Sequence, residues 1–276
     1  MTAIIGIAIF FVSVLVLIYL FLVSPRVSAP ADMEMLRGVY AHRGLWNERY
    51  PENSIPAFQR AIANGFGIEL DIQLSKDGQI VVFHDDSLMR VCGVNKRVCE
   101  LTLTELKSLR LCGTQETIPT FAEALRLISG KVPLLIEIKG ERADDRLCRG
   151  ASVMLDRYNG AFCVQSFSPL IIRWFKKYRP TYARGQLVTK ITSDVRKGSR
   201  TVNFLLTHML LNFLSRPDFI SINGHMRKRP GFLICTKLLH AEGFTWTIQN
   251  QNDFYICRKA GLSIIFEKFI PKGKQK

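Results

Sequence analysis

The sequence predicts an α/β fold, a (β/α)8 barrel of the TIM type preceded by one N-terminal transmembrane helix, and three observations predict it. First, roughly eight strand-like runs alternate with helix-like runs over one domain's length of chain, as parallel strands joined by crossover helices do. Second, the polar residues of those apolar runs gather toward one end. His42, Glu69 and Asp71, His84, Glu137 and Lys139, Ser166 and Trp246 all stand toward the C-terminal ends of predicted strands, where such barrels collect their chemistry. An open doubly wound sheet shares the alternation, but this placement favours closure. Third, residues 1–25 carry no charged side chain and 4–23 is almost wholly apolar. That is about the length needed to cross a bilayer core of ~30 Å.

The chain divides accordingly into a transmembrane anchor over 1–25, a linker over 26–37, a barrel domain over 38–271 and a basic tail over 272–276. Strand 39–42 opens the barrel. Asn53-Ser54 supplies an N-cap, with Pro56 near the first turn, for a helix over 55–63. Gly65 and Gly67 mark the turn into the acidic strand 68–74. Ser75-Lys76-Asp77-Gly78 reads as a hairpin turn, with Asp-Gly where a tight turn needs positive φ, and 79–83 as the partner strand. In the less regular stretch 87–117, one helix is predicted over 105–109, capped by Thr104. Thr120 caps another over 121–128. Strand 132–138, helix 144–158, strand 162–166, helix 169–177 and strand 182–188 follow. Helix 202–214, strand 218–222, helix 232–241, strand 244–248, helix 252–260 and strand 262–266 complete the pattern.

A cleaved signal peptide is the rival reading of the apolar segment. It lacks a positive n-region, and Pro30 directly follows the small-residue site Val27-Ser28-Ala29, so an uncleaved single-pass anchor is preferred. Arg26 and Arg37 beyond it place the globular domain on the cytoplasmic side under the positive-inside rule. The seven cysteines agree, being odd in number and without a C-x-x-C pair, which suggests neither a disulfide framework nor a zinc site. Net charge is +15, all of it after residue 25. The basic clusters are Arg173/Lys176/Lys177/Arg179, Arg196/Lys197/Arg200, Arg227-Lys228-Arg229 and Lys272/Lys274/Lys276. No nucleic-acid module is recognisable. The charge is therefore read as a field facing anionic headgroups, with plain solvated surface as the alternative.

Ile68-Glu69-Leu70-Asp71-Ile72 places two carboxylates at i and i+2, on one face of an apolar strand. Burying both is costly unless something positive sits between them. Leu134-Leu135-Ile136-Glu137-Ile138-Lys139 adds a third acid, with Lys139 on the same face. Three oxygen ligands without a thiolate suit a hard divalent cation, Mg²⁺ or Ca²⁺, rather than zinc. Simple pairing with nearby Lys or Arg is the bland account. His42 and His84, two of five histidines, end neighbouring strand segments on either side of the acidic pair. That placement points to a general acid/base couple. Arg43 offers a planar fork for a phosphoryl oxygen and Lys139 a point charge for the same group, and both also neutralise acids. The inventory is that of metal-assisted chemistry on a phosphate.

In order and spacing these motifs resemble those of the glycerophosphodiester phosphodiesterase family, in a membrane-anchored form. The matching stretches are His42-Arg43-Gly44, Pro51-Glu52-Asn53-Ser54, Ile68-Glu69-Leu70-Asp71-Ile72, Lys76-Asp77-Gly78 and Val82-Phe83-His84-Asp85. Further on come Ile118-Pro119-Thr120-Phe121, Ile136-Glu137-Ile138-Lys139, Gln165-Ser166-Phe167 and Trp246-Thr247. The resemblance implies a TIM barrel, a divalent cation, and hydrolysis of glycerophosphodiesters to an alcohol and glycerol 3-phosphate. On the matching positions it implies His42 and His84 as the acid/base pair and Glu69, Asp71 and Glu137 as metal ligands. Arg43 and Lys139 would hold the phosphate, and Trp246 would line the pocket. Water and the substrate's own glycerol hydroxyl, through a cyclic phosphate, both remain open as nucleophile.

The chain departs from the family at Ile265-Phe266-Glu267-Lys268, where a Thr-Asp pair is common, and at Ile248-Gln249-Asn250, where Val-Asn is usual. The stretch 190–214 is also longer and more apolar than a simple connection. These departures bear on substrate. A lysophospholipase-D-like activity on membrane lysophospholipids is the rival enzyme reading. A non-catalytic barrel that binds lipid headgroups is the rival from another class.

The predicted helix from Val202 to Leu214 is apolar around most of its circumference, yet too short to span a bilayer. No covering element is evident in the sequence. With Lys190, Arg196, Lys197 and Arg200 before it, the helix is expected to dock on the membrane beside the catalytic mouth, or to lie in a subunit interface.

Overall fold

Parallel strands need crossover connections, and the alternating elements supply them. In the computed structural model, which describes residues 1–27, 30, 33–140, 143–190 and 199–273, nine strands form one sheet. They are β1 (Val39–Ala41), β2 (Gly67–Leu74), β3 (Ile80–Val82), β4 (Leu134–Ile138), β5 (Phe162–Ser166), β6 (Ala183–Val188), β7 (Phe219–Asn223), β8 (Glu242–Ile248) and β9 (Ser263–Phe266). Their order is β1-β9-β8-β7-β6-β5-β4-β2-β3, and β1 also pairs with β2, Tyr40 beside Gly67 and Ala41 beside Ile68. Eight parallel strands thus close the barrel that the sequence predicts. β2 outlasts its neighbour: beyond the residues bonded to β1, Ile72, Gln73 and Leu74 carry antiparallel β3 as a hairpin.

Strand residues are buried almost throughout, as parallel strands are when helices cover one face and the barrel interior the other. Tyr40, Leu135, Cys163, Phe219, Phe244 and Ile265 fill the inside, together with Met33 and Leu36 from the segment before β1. Gly185 makes room there, since a Cβ on it would stand 2.0 Å from the Phe219 ring. The stretch after β3 builds a small core of its own around Phe83, Leu88, Val98, Leu106 and Ile118. Within it the predicted helix 105–109 is instead Leu103–Ser108, capped by Thr102 rather than Thr104. The reason is the position of Glu105, three residues after Thr102: its carboxylate accepts from the Thr102 backbone N–H (2.7 Å), closing a capping box.

The apolar N-terminal segment is a single helix, Thr2–Val23, of 22 residues and mean hydropathy 3.0, long and apolar enough to cross a membrane. Its final turns do not float free. Val23 is fully buried in a cluster with Met209, Ile220, Met226, Phe232 and Cys235. The Val23 carbonyl accepts from Asn212 Nδ2 (3.0 Å), and the Phe21 and Phe213 rings lie 5.7 Å apart.

This packing corrects the expectation of one continuous helix over 202–214. The segment forms two short helices, Arg200–Thr207 and Asn212–Ser215, separated by a turn in which Met209 has φ +60°. A continuous helix would leave part of its apolar circumference in water. The break turns Met209 into the cluster around Val23, Ile220 and Phe232 and lets Phe213 meet Phe21. The covering element is the end of the N-terminal helix itself.

Candidate active site

At the C-terminal end of β1 the backbone pairs for one further residue, His42 N–H donating to the Phe266 carbonyl (2.9 Å), and then turns sharply. Arg43 and Gly44 make that turn with φ of +55° and +80°. Gly44 lies against the helix Ile55–Ala63, where a Cβ would stand 2.9 Å from Phe58 Cδ1 and 3.0 Å from Ala57. Only glycine fits both the conformation and the space. The turn aims the Arg43 amide at Glu69, whose Oε2 accepts at 2.9 Å. Asn53 then docks on the same turn, its N–H donating to the Arg43 carbonyl (2.9 Å) and its Nδ2 to Asp71 Oδ2 (2.8 Å).

Glu69 and Asp71 share a face of β2, and the β2–β4 register sets Asp71 beside Glu137. One oxygen from each of the three acids lies within 4.8 Å of the others, and all three residues are buried. Lys139 Nζ stands 2.6 Å from Glu137 Oε1 and 2.9 Å from Asp71 Oδ1. One lysine does not neutralise three acids. Burial, reinforced by the charges of Asp71 and Glu137, pushes the Glu69 carboxyl well above the usual carboxylate range. Burial acts on Asp71 in the same sense, but Lys139, His84 and Arg43 outweigh it and hold that carboxyl low. Three hard oxygens converging at this spacing, with one lysine between them, fit a divalent cation of the Mg²⁺ or Ca²⁺ type.

Two histidines face this cluster, each held by a carboxylate at Nδ1. His42 Nδ1 is 2.6 Å from Glu267 Oε2, and Glu267 Oε1 accepts from Gln249 Nε2 (2.7 Å). Burial opposes ionisation of Glu267, but the bond and charge of His42 prevail and bring it down to about 2. His84 Nδ1 is 2.6 Å from Asp85 Oδ1. Arg90 grips Asp85 (Nε to Oδ2, 2.7 Å) and Glu52 (Nη2 to Oε1, 2.6 Å), and Glu52 in turn holds Arg43 Nη1 (2.7 Å). A chain of alternating charge therefore runs Arg43–Glu52–Arg90–Asp85–His84 along one wall. Each ring's Nε2 remains for another partner.

A cleft of about 560 Å³ opens above the barrel, lined by His42, Arg43, Glu69, His84, Glu137 and Trp246 among others. Asp71 and Lys139 stand just behind that lining, Lys139 bridging Asp71 and Glu137. Phe167 meets Trp246 edge-on at 5.7 Å, and the Trp246 indole N–H donates to the Ser221 carbonyl (3.0 Å). A larger hollow, about 710 Å³, lies at the opposite end of the barrel and contains none of these acids. Size alone does not locate chemistry here.

All eight residues singled out from the sequence thus converge at one end of the barrel. Of the partners that hold them, Glu52 and Asp85 lie in the matching stretches with no role assigned to them from the sequence. Glu267, 225 residues from His42, entered only as a departure from the family pattern, and Arg90 not at all. The signal for Glu267 was its place directly after the last strand, the same place that His42 occupies after the first.

Fold and site together define a TIM-barrel hydrolase of phosphoric diesters. More narrowly, the chain belongs to the glycerophosphoryl diester phosphodiesterase family, which it matches over residues 42–270. It is 30% identical over 222 residues to YhdW of Bacillus subtilis (strain 168), provisionally named a glycerophosphodiester phosphodiesterase, a match covering 77% of this chain and 86% of that protein. A glycerophosphodiester phosphodiesterase of Caldanaerobacter subterraneus subsp. tengcongensis is 44% identical over 111 residues, covering 37% of this chain and 44% of the relative. Among solved structures, a phosphodiesterase of Oleispira antarctica in complex with the product sn-glycerol-3-phosphate superposes with a TM-score of 0.67 at 26% identity. That match covers 83% of this chain and 92% of the other.

Proposed function

We propose that the chain hydrolyses glycerophosphodiesters to an alcohol and glycerol 3-phosphate, using a divalent cation and a pair of histidines. The observation that carries this reading is the convergence, at one mouth, of the buried acidic triad with two carboxylate-held imidazoles. Glu69, Asp71 and Glu137 would hold the cation, which when bound supplies positive charge to a phosphoryl oxygen. Arg43 lines the cleft, its Nε 3.8 Å from Asp71 Oδ2 and its Nη1 on Glu52, and its guanidinium would meet another phosphoryl oxygen. Lys139 offsets Asp71 and Glu137 and, with Arg43, lowers the cost of charge building on the phosphoryl group. Glu267 and Asp85 orient the two rings through Nδ1, leaving Nε2 of one to take a proton from the nucleophile. Nε2 of the other gives a proton to the leaving alkoxide. Trp246 and Phe167 form an apolar wall for the glycerol or its substituent.

We read Thr2–Val23 as an uncleaved membrane anchor, with the barrel on the cytoplasmic side. Support comes from its last turns, since cleavage would strip Val23 from the core and Phe21 from Phe213. Anchoring brings lysophospholipids within reach as a second substrate class.

The test is a product assay on the purified full chain with glycerophosphocholine, glycerophosphoethanolamine and lysophosphatidylcholine, with and without chelator. Chelation is expected to abolish turnover and Mg²⁺ or Ca²⁺ to restore it, so full activity in excess EDTA rules out the cation's role. His42→Ala and His84→Ala should each lower kcat by ~10²–10⁴-fold with the fold retained. Wild-type kcat in either variant would return that histidine to a packing role.

A further inference from the structure

The N-terminal helix is held against the barrel in one direction, and that direction carries a consequence for the cleft. Tyr19 Oη lies 3.3 Å from where a Cβ on Gly231 would be. Gly231 is in the first turn of Pro230–Leu233, which follows β7 at the cleft end of the barrel. Four residues later the Val23 carbonyl accepts from Asn212 Nδ2 (3.0 Å) and Cys235 Sγ (3.4 Å). Next, Arg26 N–H donates to the Pro217 carbonyl (2.9 Å) and its guanidinium meets Asp218 (3.5 Å), both directly before β7 at the opposite end. From Tyr19 to Arg26, therefore, the chain descends the outside of the barrel from the cleft end to the foot. The exposed apolar part of the helix, ahead of Tyr19, projects on the cleft side.

The rim beside that projection is basic and partly apolar. Lys190 follows β6, Arg200 opens the helix Arg200–Thr207, and Arg227, Lys228 and Arg229 follow β7. Stretches 189–190, 199–207 and 224–233 contain no Asp or Glu. Among the described residues, only Arg227 of these five cations pairs with a carboxylate, Asp253 at 3.5 Å. Among the cations stand Val202 and Phe204, the latter 56% exposed although its neighbours Leu206 and Met209 are buried.

We propose that the cleft face of the barrel docks on the surface of an anionic bilayer, Phe204 entering the interface and Lys190, Arg200, Lys228 and Arg229 meeting headgroups. The proposal rests on reading Thr2–Val23 as an anchor, because that helix then sets the rim at the lipid surface. Cations flanking an exposed aromatic fit such an interface. The cleft is thereby presented to headgroups at the bilayer rather than to bulk water.

The test uses the full chain in lipid nanodiscs, with an environment-sensitive fluorescent amino acid in place of Phe204. A control carries the probe in place of Arg126, which lies near the end of the helix Phe121–Ile128, away from the cleft. In nanodiscs containing anionic lipid brominated on its acyl chains, the probe at 204 should be quenched at least twofold and blue-shifted, and the control should not. Arg200→Glu with Lys228→Glu should remove that quenching, while the chain still copurifies with the disc and still turns over a water-soluble diester. An unquenched probe at 204 on a chain that remains in the disc overturns docking and leaves the anchor standing. A chain that does not stay with the disc overturns both. If the charge reversals leave quenching intact but abolish retention of an oligonucleotide, the rim is a nucleic-acid face and the proposal fails. Quenching in a chain without hydrolase activity supports docking and separates it from the hydrolytic reading.

Discussion

Removing one charge from the acidic triad should make the protein more stable without a divalent cation and less stable with one. In Glu69→Gln the side-chain oxygen can still accept from the Arg43 amide, where Glu69 Oε2 now sits at 2.9 Å. The new NH₂ places a donor where a like charge faced Asp71 and Glu137. At the 4.8 Å limit of the cluster, two unit charges repel by ~3.5 kcal/mol at an effective dielectric of about 20. Lys139, within 2.9 Å of Asp71 and 2.6 Å of Glu137, cancels much of this. Glu69 escapes part of the remainder by binding a proton, as its raised pKa indicates. A net gain of about 1–2 kcal/mol is left, which for a domain of this size raises Tm by roughly 2–8 °C. With a cation at about 100 times its Kd, the wild type gains ~2.7 kcal/mol, and the variant should lose most of that gain. Thermal unfolding of both chains in EDTA and in a Mg²⁺ or Ca²⁺ titration reads the crossover. A variant less stable than wild type in EDTA refutes the repulsion. Equal stabilisation of the two by cation refutes the site.

Two further outcomes follow from the geometry. Glu267 is depressed from an ordinary 4.5 to about 2, so its stabilising contribution is complete above about 4.5 and is lost as pH falls toward 2. The stability gap between wild type and Glu267→Gln should therefore shrink across that window in urea unfolding, while kcat at neutral pH falls because His42 loses its orienting partner. A gap that does not change with pH contradicts the pairing. Gly44→Ala meets both a φ of +80° and a 2.9 Å contact with Phe58, costing ~1–2 kcal/mol for the conformation and a similar amount for overpacking. Tm should drop by several degrees, with activity falling too as the Arg43 amide shifts off Glu69. A variant as stable as wild type shows that the turn relaxes.

Much of the site is legible in the sequence because its rules are local. Alternation along a strand puts Glu69 and Asp71 on one face whatever the strand packs against. The need for positive φ marks the tight turn at Asp77-Gly78, where Gly78 has φ +78°. Apolar length alone marks Thr2–Val23 as a candidate span. Even so, the local rules misplace the cap of Leu103–Ser108 and run a helix through Met209, because several competing caps and breaks look alike until packing selects one.

Three features depend instead on residues far apart in the chain. Barrel closure through β1 and β9 brings Glu267 to His42. The β2–β4 register sets Asp71 against Glu137. The outer face of β7 and its flanking helices receives the end of the N-terminal helix and so sets the direction in which that helix leaves the cleft side. Side-chain periodicity and turn sterics act within a few residues. Distances between strands tens to hundreds of residues apart come only from closure and register, and these were decided by the tertiary structure.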